Sequence, residues 1–433
     1  RLDGQTAFKL YDTYGFPLDL TQDALRRRDI SVDLDGYNTA MEKQKEEARA
    51  SWVGAGGTTD EAVWFSLREQ HGATEFLGYD TEKAEAVVLA LVKDGVSVDT
   101  ASSGDDVTII VNQTPFYGES GGQMGDTGSM TFGATKVDIT NTQKKGEGLF
   151  THSATIREGQ LSVGAEGVLE VDHARRGVLR SNHSATHLLH EALREVLGDH
   201  VSQKGSLVSP ERLRFDFSHQ KPVDDAEMVK IDALANRYVL QNSPVTTTLM
   251  AIDDAIELGA QAQFGEKYGE EVRVVSMGTA LDGDKAGKPW SLELCGGTHV
   301  GNTGDIGLIT VLSESAVSSG VRRVEALTGD AARLHLLDQD EKLKATAKAL
   351  KSAPADVPAR VEALLNERKK LERELVETKK RLAMGASTEL DGPKKVGDIS
   401  LVARIVDGIA PKELKGLVDE EKQRIGSGVI VLA

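Results

Sequence analysis

One cysteine, three tryptophans and ten prolines stand among 433 residues, and no apolar run approaches the roughly 20 residues that span a bilayer. A lone cysteine cannot close an internal disulfide, which excludes a disulfide-stapled secreted fold. No succession of basic, apolar and small residues opens the chain, so a secretory leader is not read there. The expected setting is reducing and cytoplasmic, with no membrane partner. Positive charge is also scarce: 51 basic residues face 68 acidic ones, a net charge of −17. Indiscriminate nucleic-acid binding, which rests on phosphate neutralisation, is thereby excluded. Any RNA contact must use local patches, and the candidates are Arg175, Arg176 and Arg180, then Lys204, Arg212 and Arg214, then Arg322 and Arg323. Taken singly, each reads first as a solvated charge or an ion-pair partner rather than an RNA contact.

At about 150 residues per domain, the length implies two or three domains. The expected fold class is α+β and multidomain. Residues 1–55 read as helical, with Thr21 capping a run over 22–28 and a longer charged helix over 34–50. Short β-rich segments at 86–92, 106–111, 129–140 and 167–171, separated by glycine-containing turns, predict a small β-barrel within 80–172. An α+β unit follows over 173–330, completing a region that begins at 56. Its clearest helix spans 182–197, with Ser181 or Asn182 as cap and Gly198 just past the end. Strands at 212–217 and 272–277 and a helix at 224–241 complete the pattern. Residues 331–392 read as a charged helical segment and linker. Heptad positions there, Val361, Arg368, Leu375 and Leu382 at a with Leu364, Leu371 and Thr378 at d, suit a helical hairpin, a short coiled coil or a helix packed within its own chain. Residues 393–433 read as the start of an α/β domain. The chain opens on Arg1 and closes on an apparently unpaired strand, so both ends are expected to be internal to a longer protein.

Chemistry concentrates in two places. His183 and His187 are four residues apart, which on a helix brings their Cβ atoms within about 5–6 Å. At roughly 100° per residue, their face, shared by His190, lies away from the stripe of Ala185, Leu188, Leu189, Ala192 and Leu193. About a hundred residues on, the only cysteine occurs as Cys295-Gly296-Gly297-Thr298-His299, after an alternating strand at 292–294. The glycines permit a tight turn that aims thiolate and imidazole at one point. His183, His187, Cys295 and His299 therefore form a candidate Zn2+ set, with ligand distances of about 2.0–2.3 Å. His190 is left as a supporting or surface residue. A nucleophilic Cys295–His299 pair would leave the helix histidines without a role. A His-Glu-x-x-His protease is disfavoured because Ser184 stands where the glutamate belongs. The second place is the glycine-rich stretch 118–128. Gly121 and Gly122 allow close backbone approach, while Gln123 and Asp126 can bind a ribose or an amino group, although a plain turn is an equal reading. It lacks both the Walker ending and the helix-opening position of a dinucleotide loop.

Five strings in one order resemble the alanyl-tRNA synthetase family: Phe8 to Pro17, the 118–128 loop, Asn182 to His190, Gln203 to Leu207, and Cys295 to His299. The resemblance covers essentially the whole chain. It implies the end of a tRNA-recognition helical domain over 1–55, with Asp12 as a further tRNA-contact candidate. An editing domain over 56–330 would follow, then a helical oligomerisation segment over 331–392 associating through 361–382, and the start of a C-terminal domain at 393–433. The class II catalytic domain, with its ATP and Mg2+, would precede Arg1. The implied editing reaction hydrolyses the ester of tRNA(Ala) mischarged with serine or glycine. A pocket built for alanine cannot exclude the smaller glycine and rejects serine poorly, so a second, hydrolytic site is required. Thr186 and Gln203 are the implied substrate-selecting residues, and the zinc would orient the substrate, since four protein ligands leave no open position. A stand-alone trans-editing deacylase and a tRNA-binding module with a structural zinc remain the alternatives.

Overall fold

The computed structural model describes residues 1–14, 59–145, 148–262, 269–283, 286–385, 392–405 and 411–432, with scattered positions between 21 and 40. The helices expected over 22–28 and 34–50 and the linker near 386–391 lie largely outside the described residues. Two compact units are present, Arg1–Arg333 and Leu334–Ala433. The architecture is mixed α+β and includes a small β-barrel.

In the first unit, helix α1 (Gly4–Tyr14) precedes α2 (Thr59–His71). The barrel strands are β1 (Lys83–Lys93), β2 (Val96–Val98), β3 (Asp106–Val111), β4 (Gly128–Phe132), β5 (Thr135–Lys145), β6 (Leu149–Glu158) and β7 (Glu166–Val171). They lie in the order β7-β4-β5-β6-β3-β1-β2, and a further pairing of β7 with β1 closes the ring around all but β2. Every neighbour pair in the ring is antiparallel, and closure leaves no unpaired edge in it. Val88, Ile109, Met130, Ile156 and Leu169 fill the interior. Alternation fails at Ala90–Leu91–Val92, all buried, because Trp64 and Leu67 of α2 pack on Ala90 and Val92 outside the barrel.

The chain then enters α3 (His173–Leu197), β8 (Gln203–Val208), β9 (Leu213–Ser218), α4 (Asp225–Gln241) and β10 (Thr246–Ala251). Helix α5 (Ile252–Glu257), β11 (Glu271–Thr279), β12 (Pro289–Leu294), β13 (Ile309–Ser318) and β14 (Val321–Thr328) complete the unit's elements. One sheet has the order β8-β9-β14-β13 and another β10-β11-β12. Leu188, Leu189, Ala192 and Leu193 of α3 share a core with Phe215 and Phe217 of β9 and Ile231 and Ala235 of α4. Helix α4 is fixed at its start by a reciprocal capping box between Asp224 and Glu227.

The second unit takes in most of α6 (Gly329–Ala349) and all of α7 (Val357–Gly385), both helical as expected. Along α7, Val361, Leu364, Leu371, Leu375 and Leu382 are all exposed. Then β15 (Lys394–Val396), β16 (Ile399–Arg404), α8 (Pro411–Ile425) and β17 (Gly428–Leu432) follow. β16 and β17 pair in parallel across the α8 connection, so the last strand has a partner.

Helix α3 departs from the sequence reading at its start. It begins at His173, not near 182, and Asp172 caps it by accepting the Arg175 N–H at 3.0 Å. Ser181 and Asn182 lie in mid-helix, and Asn182 instead donates to the Ser209 carbonyl and accepts from Thr328. The basic residues expected before the helix are in its first turns. Arg176 is fully buried, donating through Nε to Asp126 at 2.9 Å and through its terminal nitrogens to the carbonyls of Gly78 and Pro115. This corrects the expectation of an RNA-contacting surface position for Arg176, which does not face solvent, and places Asp126 inside the protein beside it. Asp126, itself fully buried, also accepts the Tyr117 N–H at 2.7 Å. Removing one partner leaves the other charge buried and uncompensated, so Asp126→Ala is expected to cost about 3–5 kcal/mol. Urea unfolding followed by circular dichroism checks this, and a loss under about 1 kcal/mol would contradict a structural role for the pair.

Candidate metal centre

Two segments far apart in sequence build the centre. On α3, His183 and His187 are one turn apart with nearly parallel rings, centroids 5.2 Å apart. Facing them, the turn after β12 presents Cys295, whose N–H donates to the Arg273 carbonyl at 3.0 Å. This bond prolongs the β11–β12 pairing and holds the thiol in place. A Cβ at Gly297 would lie 2.0 Å from His183 Cε1, so only glycine lets the turn lie against that ring. The turn then brings back His299, with ring centroids 4.5 Å from His183 and 5.0 Å from His187. One ligand atom from each of His183, His187, Cys295 and His299 falls within 4.8 Å of all the others.

The outer nitrogens of the three rings decide how the inner ones are used. His183 Nδ1 lies 2.7 Å from Gln123 Oε1, and His187 Nδ1 lies 2.8 Å from Glu293 Oε2. A carboxylate and an amide oxygen only accept, so both Nδ1 atoms carry the proton and both Nε2 lone pairs point inward. His299 Nδ1 meets the Ser184 hydroxyl at 3.2 Å, leaving its Nε2 3.3 Å from Cys295 Sγ. His187 Nε2 is buried and has no hydrogen-bond partner among the described residues. An orphaned acceptor in a dry site is costly unless something fills it, and a cation among three imidazole nitrogens and a thiolate does so. The donor set fits a soft or borderline divalent metal.

Electrostatics point the same way. Burial alone would raise the Cys295 thiol, but His183, His299 and His187 outweigh it and hold the pKa well below the ordinary value. Burial would likewise raise Glu293, yet His187 and His190 pull its carboxyl far below the usual range. His299 is pushed down to about 4 by burial, which keeps its ring neutral and able to donate a lone pair. Burial would lower His187, but the Glu293 carboxylate and the Cys295 thiolate outweigh it and raise its pKa well above the ordinary value.

Several residues singled out in the sequence occupy other roles. Gln123 is buried and committed within the protein: its oxygen faces His183 and accepts the Thr298 N–H at 3.0 Å, and its nitrogen donates to Thr298 Oγ1 at 2.8 Å. It orients a candidate ligand ring; its oxygen is fully engaged and one of its two N–H donors is committed to Thr298. Gly122, at φ 82°, lets the loop press on β8, where an added Cβ would meet the Ser206 carbonyl at 2.5 Å. Gly121 borders a cavity of about 390 Å3 beside the cluster, walled also by Tyr79, Lys144, His183 and Cys295. Thr186 is buried and donates its hydroxyl to the Asn182 carbonyl at 2.8 Å. Gln203 is half-buried at the start of β8. Arg175 donates to the Gly125 carbonyl, Arg322 pairs with Glu314 and Arg323 with Asp216, which ties these three guanidinium groups into the fold. Lys204 is exposed on β8, and Asp12 lies on α1 with its side chain outside the described residues.

Glu293 and the supporting role of Ser184 were not read from the sequence. Glu293 and Cys295 are two apart at a strand end, the spacing that places both on one face, and this is the signal that could have found the carboxylate. His190 joins the same group, its Nδ1 3.0 Å from Glu293 Oε1.

The fold and this site belong to one class of protein. The family model described as tRNA synthetases class II (A) matches residues 1–175, and the threonyl and alanyl tRNA synthetase second additional domain matches 272–325, which contains Cys295 and His299. Among curated proteins, the alanine–tRNA ligases of Mesorhizobium japonicum and Rhizobium meliloti are 62% and 61% identical over 99% of the chain, and that of Chelativorans sp. is 60% identical over all of it. The chain belongs to the alanyl-tRNA synthetase family, and it spans about half the length, 49%, of those curated relatives.

Because Glu293 fixes the tautomer of His187, Glu293→Gln is expected to weaken divalent-metal affinity by about 10–100-fold while the fold persists. Competition against a chromogenic chelator measures it, and unchanged affinity would separate Glu293 from the metal.

Proposed function

We propose that this chain carries the zinc-dependent editing site of an alanine–tRNA ligase, hydrolysing the ester of tRNA(Ala) mischarged with serine or glycine. The observation that carries the reading is the convergence of three imidazole Nε2 atoms and one thiol, with His187 Nε2 left unpartnered. His183, His187, Cys295 and His299 would hold Zn2+, which when bound supplies electrostatic polarisation and orientation of the substrate ester. In this reading ATP and Mg2+ serve aminoacylation in the catalytic domain of the whole enzyme, and the partner is tRNA(Ala) in the cytoplasm.

Selection for serine follows from the hydroxyl of Thr186. Its proton is committed to the Asn182 carbonyl, which leaves its oxygen to accept a bond from the hydroxyl of a seryl ester. An alanyl ester cannot make that bond, so the two substrates differ by one polar contact. Gln203 at the start of β8 would place the ester or a water. One observation favours a second reading, a tRNA-binding module with a structural zinc: four protein ligands complete a closed tetrahedral set. The exposed apolar residues Val361, Leu364, Leu371, Leu375 and Leu382 of α7 support self-association through 361–382.

The chain is expected to contain one zinc, lost in Cys295→Ala, by elemental analysis. It is expected to deacylate Ser-tRNA(Ala) faster than Ala-tRNA(Ala), and Thr186→Val should erode that preference by about 5–30-fold in kcat/KM at unchanged zinc content. Hydrolysis of neither ester by zinc-loaded protein would favour the structural module, and equal hydrolysis of both would remove the role given to Thr186. Sedimentation equilibrium is expected to show an oligomer that Leu371→Glu with Leu375→Glu dissociates. A monomer at high concentration would rule out this use of α7.

A further inference from the structure

His183 and His187 stand on α3, whereas Cys295 and His299 stand on the turn after β12, so the four candidate ligands converge only while helix and turn keep their spacing. One short stretch between α2 and β1 touches both. Glu75 and Phe76 pair with Gln113 and Thr114, and Leu77 then donates its N–H to the Thr114 carbonyl at 2.8 Å. The Asp80 and Thr81 N–H groups both return to the Leu77 carbonyl at 3.1 Å, which closes a tight turn around Gly78 and Tyr79. Gly78 lies so close to its neighbour that an added Cβ would sit 2.2 Å from the Pro115 carbonyl oxygen. This stretch is therefore fixed against the chain that leaves β3.

From that fixed point, two hydrogen bonds reach the two halves of the centre. The Gly78 carbonyl accepts from Arg176 of α3 at 2.9 Å, two helical turns before His183. The Tyr79 hydroxyl donates to the Gly296 carbonyl at 2.6 Å, inside the Cys295 turn and 217 residues away in sequence. Adjacent residues thus hold the helix that carries two histidines and the turn that carries the thiol. The tyrosine ring is itself clamped: Phe76 meets it edge-on at 4.8 Å, and the Arg273 guanidinium covers it at 3.3 Å from its centroid. Arg273 also accepts the Cys295 N–H through its carbonyl at 3.0 Å, so its backbone holds the cysteine while its side chain holds Tyr79. Its buried Nε has no hydrogen-bond partner among the described residues, which leaves the ring as what the guanidinium is placed against.

We propose that Tyr79 is a positioning residue for the metal centre: its hydroxyl pins the peptide plane between Gly296 and Gly297 and so fixes the donor that faces the Cys295 sulfur. It rests on the metal-binding reading of His183, His187, Cys295 and His299. The Gly296 carbonyl and the Gly297 N–H belong to one planar unit, so holding the first orients the second. That N–H donates to Cys295 Sγ at 3.4 Å. Without a restraint the plane could rotate, because two successive glycines have more backbone conformations open to them than any other pair. A rotated plane would withdraw the donor from the sulfur and let the turn drift from α3. Tyr79 thus touches no candidate ligand and acts on the thiol through one peptide.

The test compares the full chain with its Tyr79→Phe and Tyr79→Leu variants. Cobalt(II) is titrated into metal-free protein and followed by its thiolate-to-metal charge-transfer band, with affinity taken from competition against a chelator. Amide exchange of Gly297 is followed by NMR in the same metal-free samples. Tyr79→Phe keeps the ring and its contacts with Phe76 and Arg273, and loses only the bond to Gly296. It is expected to hold its urea midpoint near wild type, to weaken cobalt about tenfold, to shift the charge-transfer band and to speed Gly297 exchange several-fold. Tyr79→Leu, which also uncovers Arg273, should weaken cobalt at least as much and lower the urea midpoint besides. Wild-type cobalt affinity, band position and Gly297 exchange in Tyr79→Phe would overturn the proposal, whatever Tyr79→Leu did to stability. A wild-type chain that takes up no cobalt would overturn the metal-binding reading instead, and Gly297 exchange would then decide by itself whether Tyr79 holds the turn.

Discussion

The buried pair between Arg176 and Asp126 sets the position of everything around the metal centre. Arg176 precedes His183 by seven residues, two helical turns, so the helix face that meets the barrel loop continues into the face that carries the ligands. The same loop supplies Gln123 to His183, three residues before Asp126. One stretch of chain therefore both anchors α3 and orients its first histidine. A buried ion pair is a weak source of net stability, because desolvation consumes most of its attraction. What it does supply is register: a guanidinium with three directed acceptors tolerates no sliding of the helix by a turn.

The convergence of the four candidate ligands was legible because its chemistry is dense and local. An i, i+4 histidine pair and a unique cysteine four residues from another histidine are patterns that few structural needs produce. The barrel was legible from turn-separated β segments, although its closure between β1 and β7 joins strands more than seventy residues apart and leaves no local trace. The polar residues of the glycine-rich stretch were only partly legible for a physical reason. Sequence shows that Gln123 and Asp126 can hydrogen-bond, and not whether their partners come from a ligand or from the chain itself. Here the partners are His183, Thr298, Arg176 and Tyr117, all supplied by folding. The helix start was hidden similarly, because a basic run with Gly177 inside it breaks the apolar period, while the Asp172 cap and the burial of Arg176 fix those turns.

The three imidazoles of the centre are each held from behind by a different group: an amide, a carboxylate and a hydroxyl. These come from the barrel loop, from β12 and from α3 itself. A ligand cluster braced in this way is preorganised, and its geometry reports on the packing of all three elements at once. The Tyr79 hydroxyl adds a fourth brace by gripping the Gly296 carbonyl between the two glycines of the Cys295 turn. Barrel, helix and sheet thus meet at one small polar volume, and a metal held there would couple its binding to the folding of this unit.

The separation of the two halves of the centre also has a temporal side. His183 and Cys295 are 112 residues apart. At ribosomal speeds of about 5–20 residues per second, on the order of ten seconds pass between the synthesis of the one and of the other. The barrel strands are complete before α3 is, so they can close while the helix still lacks its counterpart. During that interval the histidine face has neither thiolate nor the Glu293 carboxylate against it. In the proposed metal-binding reading, the nascent chain would carry half of a chelator until the turn after Leu294 supplies the other half.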